Sequence, residues 1–97
     1  MTNETMKTND LETVLERLVR RMDERCFYLL EFWKRNNISF SGRSNECQAF
    51  FNYFLGSIDT LSNVGLFETD DSNAARDYLN VFMSQLNEAV RDAVSGC

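Results

Sequence analysis

The apolar residues Leu11, Leu15, Leu18, Met22, Cys26, Leu29 and Trp33 recur in steps of three and four. At about 100° per residue they line up as one narrow stripe. Such a stripe commits the segment to a long amphipathic helix. Thr8, Asn9 or Asp10 can cap it, and Asn9 followed by Glu12 has the acceptor-then-acid spacing of a capping box. The pattern predicts a helix over residues 9–35, roughly 39 Å long at about 1.5 Å per residue.

The period then breaks at Asn36-Asn37-Ile38-Ser39-Phe40-Ser41-Gly42-Arg43, a stretch of turn formers that reads as a connection, with Ile38 and Phe40 plugging the end of a bundle. Ser44 is the expected cap of a second helix over 44–63, which carries Cys47, Phe50, Phe51, Phe54, Leu55, Ile58 and Leu61 on one face. Gly65 suits the left-handed position past a helix end, and Leu66 or Phe67 can fold back over the last turn. The acids of Glu68-Thr69-Asp70-Asp71 favour the start of a third helix, 71–94, because they meet the positive end of its dipole. Its apolar set is Ala75, Tyr78, Leu79, Phe82, Leu86, Ala89, Val90 and Ala93. Three helices joined by short connections predict an all-α, compact three-helix antiparallel bundle. Residues 1–8 read as a flexible tail, and 9–97 as a single helical domain.

The composition permits this fold and excludes others. Of 97 residues, 43% are hydrophobic and 12% aromatic, with no proline. This is enough apolar surface for one core and unlike the make-up of a disordered chain. No apolar run approaches the roughly 18 residues of a membrane span. The opening residues lack a signal profile, and the three cysteines are not closely paired, so a reducing, cytoplasmic compartment is expected. Two triplets match the glycosylation sequon, at Asn3 and Asn37, and without a secretion signal they read as chance matches.

The residue inventory points away from catalysis. There is no histidine, which removes the usual general base, every Ser-His or Cys-His pair and the commonest metal ligand. The acids fall on polar helix faces rather than projecting into a cleft. No Gly-rich phosphate loop is present. Asp70-Asp71-Ser72-Asn73 lacks the alternating acids, central glycine and closing glutamate of a calcium loop and reads as a helix start. Cys26 and Cys47 lie on apolar faces as small hydrophobes, while the terminal Cys97 reads as an inert or exposed thiol. No catalytic residue, metal, cofactor or small-molecule substrate is expected.

One segment departs from a plain amphipathic pattern. Cys26-Phe27-Tyr28-Leu29-Leu30-Glu31-Phe32-Trp33 is apolar almost all the way round, and a helix apolar on all sides is covered on all sides. In one reading helix 1 lies in a groove between helices 2 and 3, finished by Phe40 and Phe67. In the other, Phe27, Tyr28, Phe32 and Trp33 belong to an interface with another chain, for which a symmetric homodimer is the simplest form.

Charge adds two further surfaces. Arg17, Arg21, Arg25 and Arg35 project to one side of helix 1 around Tyr28, although pairs such as Glu16 with Arg20 and Glu31 with Arg35 also fit an ordinary solvated face. Residues 1–43 sum to +1 and residues 44–97 to −6, within a net charge of −5. The acidic half presents Glu68, Asp70, Asp71, Asp77, Glu88 and Asp92. The expectation is a small non-catalytic adaptor or regulator that binds a protein partner, or itself, through the aromatic part of helix 1. The alternatives are an acidic phage- or plasmid-type inhibitor that blocks a nucleic-acid-binding protein, and a dimeric DNA-binding regulator using the helix 1 arginines. The net charge disfavours the last.

Overall fold

The structure is a computed structural model that describes residues 12–95. It contains three helices: α1 (Val14–Asn36), α2 (Phe40–Asn63) and α3 (Thr69–Ser95). Among the described residues there is no strand, and no helix is long and apolar enough to cross a membrane. The expected all-α three-helix bundle is therefore the fold. The tail expected over 1–8, the caps expected at Thr8, Asn9 or Asp10, the first stripe residue Leu11 and Cys97 lie outside the described residues.

The cap of α1 is Thr13. Its hydroxyl accepts from the Glu16 N–H at 3.0 Å and its own N–H donates to Glu16 Oε1 at 2.9 Å, a complete capping box. Glu12, expected to serve the cap, instead pairs with Arg20 at 2.6 Å and Arg17 at 3.7 Å. At the other end Asn37 takes the left-handed conformation (φ 50°), and the Ile38 N–H donates to the Trp33 carbonyl at 3.0 Å.

The connection expected to run from Asn36 to Arg43 is mostly helix. Ser39 is the cap of α2, accepting from the Gly42 N–H at 3.2 Å, so only Asn37, Ile38 and Ser39 join the two helices. Ser44 lies inside α2. Gly42 is needed in that first turn, since a Cβ there would stand 2.8 Å from Ile38 Cγ2. Phe40 is half exposed and does not plug the bundle, whereas Ile38 packs partly against the core. Past α2, Leu66 and Gly65 donate back to the carbonyls of Leu61 (2.9 Å) and Ser62 (3.2 Å) with Gly65 at φ 81°. This is a Schellman ending. Phe67 folds under the last turn and is buried; Leu66 stays exposed.

The lateral order differs from the expectation that helix 1 sits between the other two. The shared element is α3, which packs along both α1 and α2, while α1 and α2 make almost no close backbone approach to each other. The apolar face of α3 meets both neighbours. On α3 the inward residues spread from Ala89 through Ala75, Leu79, Phe82, Leu86 and Val90 to Met83, an arc of about 120° at 100° per residue. That is wide enough to seat two neighbours. Opposed pairs set the direction, since Cys47 meets Asn87 at 3.4 Å and Arg76 meets Asp59 at 3.4 Å, making α2 and α3 antiparallel.

Candidate partner-docking groove

Because α1 and α2 both lean on α3 and hardly on each other, a groove of about 830 Å³ stays open between them. The α1 side supplies Arg17, Arg20, Arg21, Arg25 and Tyr28, together with Glu24. The α2 side supplies Glu46, Ala49 and Tyr53, and the floor is made by Leu29, Phe50 and Phe54. An apolar floor between a row of guanidiniums and two tyrosines offers dispersion contact below and charged hydrogen-bond donors at the rim.

Local contacts hold this arrangement. The guanidinium of Arg25 lies 5.1 Å from the Tyr28 ring centre, and Tyr28 stacks on Phe32 at 5.9 Å. Across the groove Tyr53 meets Phe54 edge-on at 4.9 Å, and Phe54 leans on Phe50 at 4.8 Å. Glu46 accepts from the Trp33 indole N–H at 3.2 Å, which ties the two walls at one end. Arg17 and Arg20 share Glu12. Arg21 and Arg25 form no ion pair with a described residue.

The residues expected to bind a partner separate into three groups. Arg17, Arg21, Arg25 and Tyr28 come together in the groove wall, with the half-buried Phe32 behind Tyr28. Phe27 is 64% exposed but projects at about 100° from Tyr28, outside the groove, and Arg35 lies beyond it in a long pair with Glu31 at 3.9 Å. Trp33 is 0% exposed and belongs to the core, so it leaves the surface patch altogether. Its apparent place in an all-round apolar segment came from counting side chains that the fold assigns to different surroundings.

Of the acids, Glu68 and Asp71 make the start of α3, where the Glu68 N–H donates to Asp71 Oδ2 at 3.0 Å. Asp70, Asp77, Glu88 and Asp92 stay exposed. Arg20, Glu24, Leu29, Glu46, Ala49, Phe50, Tyr53 and Phe54 line the groove without being among the expected site residues. Tyr53 carried a usable signal, because it is an aromatic set off the apolar face of α2, where nothing inside the bundle requires one.

Both described cysteines face α3. Burial pushes the Cys26 thiol up to about 11, with Asp23 and Cys47 adding repulsion, and burial also raises Cys47. A thiol held protonated in this way is a poor nucleophile. Among the described residues no three Cys, Asp or Glu side chains converge as metal ligands. Comparison with family models, curated proteins and solved structures returns no match.

Proposed function

We propose that this chain is a non-catalytic protein-binding module, an adaptor or regulator whose partner docks in the groove between α1 and α2. The observation that supports this reading most directly is the pair Arg25 and Tyr28. The ring is 51% exposed under a guanidinium that has no carboxylate partner among the described residues. Tyr and Arg are the residue types that most often anchor protein interfaces, since they bring area and directional donors at little entropic expense. Glu24 and Glu46 in the same walls, within a chain of net charge −5, favour a protein surface over nucleic-acid phosphates.

The test is site-directed photo-crosslinking in the native host. A photoreactive residue at Ala49, inside the groove, captures a defined polypeptide adduct, and Arg21→Glu abolishes that capture. The same residue at Asn63, on the exposed end of α2, does not capture that polypeptide. Equal capture from both positions, or capture indifferent to Arg21→Glu, defeats the reading.

A further inference from the structure

The groove leaves two guanidiniums of α1 without an ion pair among the described residues, and the opposite side of the molecule carries the charge that would complement them. On α3, Asp70, Asp77, Val81, Glu88 and Asp92 are all exposed. They fall within a strip about 60° wide at 100° per residue, centred nearly opposite the buried face of the helix. None of the four acids forms an ion pair with a described residue. In the middle of the strip Val81 is 54% exposed, and Tyr78 beside it 47%. Neither is explained by the bundle. The strip therefore has the composition the groove lacks, with carboxylates for the rim and an aliphatic and an aromatic side chain for the floor.

Length agrees as well. The α1 wall of the groove from Arg17 to Leu29 is about 18 Å long, and the segment of α3 from Asp77 to Glu88 is about 16 Å long, at 1.5 Å per residue. We infer that the occupant of the groove is the outer face of α3 from a second copy of this chain, with Asp77 and Glu88 meeting the arginines and Val81 the aromatic floor. This rests on the docking reading above and names its partner. Because groove and strip lie on opposite sides of one molecule, the contact is heterologous. Each copy offers one socket and one plug, and the product is a head-to-tail stack rather than a two-fold dimer.

The full chain is followed by sedimentation under reducing conditions with two charge reversals, Arg21→Glu in the socket and Asp77→Arg in the plug. Both positions are exposed, and an unchanged helical spectrum confirms that each variant folds. Arg25→Glu and Glu88→Arg repeat the design if either does not. The wild type is expected to associate with rising concentration and to weaken as salt goes from about 0.1 M to about 1 M, where the screening length falls from about 10 Å to about 3 Å. Each variant alone associates at least about tenfold more weakly. Mixed together, they recover association, since the intact plug of one enters the intact socket of the other and the two reversed charges are themselves complementary. A wild type that stays monomeric at low salt, variants that associate like the wild type, or a mixture that does not pair each overturns the inference. If the wild type is monomeric while Ala49 still crosslinks a different polypeptide, the docking reading stands and only the identity of the occupant fails.

Discussion

The guanidinium of Arg43, at the start of α2, donates to the carbonyl of Ala89 near the end of α3 at 2.8 Å. The same group donates to the Ile38 carbonyl at 2.8 Å and the Trp33 carbonyl at 3.4 Å, and it lies 5.9 Å from the Trp33 ring centre. One side chain thus joins all three helices at the closed end of the bundle. A carbonyl oxygen has two lone pairs and can accept a side-chain donor beside its backbone one, and the planar fork of an arginine can serve several carbonyls at once. Arg43→Ala is expected to lower unfolding free energy by about 2–3 kcal/mol, the range for charged hydrogen bonds left unmade. Arg43→Lys recovers only part, because an ammonium cannot span the three acceptors. Urea unfolding at neutral pH measures both, and a loss under about 0.5 kcal/mol for Arg43→Ala would show that the clamp contributes little.

Two glycines should respond with opposite signs. Gly56 lies in the interior of α2 with open space where a Cβ would go, so Gly56→Ala should raise stability by about 0.5–1 kcal/mol. Gly65 holds φ 81° in the turn after α2, and Gly65→Ala should lower stability by about 1–2 kcal/mol. Thermal unfolding of the pair separates backbone conformation from packing, since neither position has atoms within 4 Å of the added methyl.

Ser72 is buried on α3, and its hydroxyl has no hydrogen-bond partner among the described residues. A desolvated, unpaired hydroxyl is a cost, and alanine is the better helix former. Ser72→Ala should therefore stabilise by about 1 kcal/mol. A decrease in the urea midpoint would mean that the hydroxyl finds a partner in solution.

The thiols set an alkaline limit. Cys26 is raised from 9.0 to about 11, chiefly by desolvation, and Cys47 is raised from 9.0 by burial. The unfolded chain releases these protons near pH 9 while the folded chain keeps them. Their contribution to stability is complete below pH 9 and is lost as pH climbs from 9 towards 11. Unfolding free energy across that window should fall more steeply for the wild type than for the Cys26→Ala/Cys47→Ala variant. Parallel slopes would contradict the assignment.

How much of this the sequence reveals depends on how local the cause is. The stripe Leu18, Met22, Cys26, Leu29 and Trp33 is buried as its spacing implies, because periodicity along one helix needs no knowledge of its neighbours. The start of α2 is harder, since Ser39 and Ser44 are equally good caps. The choice falls to Ser39 through contacts distant in sequence, including the reach of Arg43 to Ala89. The groove is harder still. Whether Tyr28 is covered depends on which helix lies in the middle, and the apolar arc of α3 is no wider than those of α1 and α2, so the pattern along the chain does not single it out. Phe27 and Tyr28 project about 100° apart on α1, and only Tyr28 faces another helix of the same chain across an open gap.

That difference yields a direct comparison. Phe27 and Tyr28 are both more than half exposed, so truncating either should cost little stability, under about 1 kcal/mol, in contrast to the 3–5 kcal/mol typical of a buried aromatic. Their effects on docking should diverge. Tyr28→Ala removes the ring beneath Arg25 and beside the groove floor and should abolish the Ala49 crosslink, whereas Phe27→Ala, on a different side of α1, should leave it intact. Thermal unfolding alongside crosslinking distinguishes the cases. Loss of the crosslink in both variants with stability unchanged would move the interface to the outer side of α1 around Phe27, and a large loss of stability in Tyr28→Ala would place its ring among the residues that hold the bundle together.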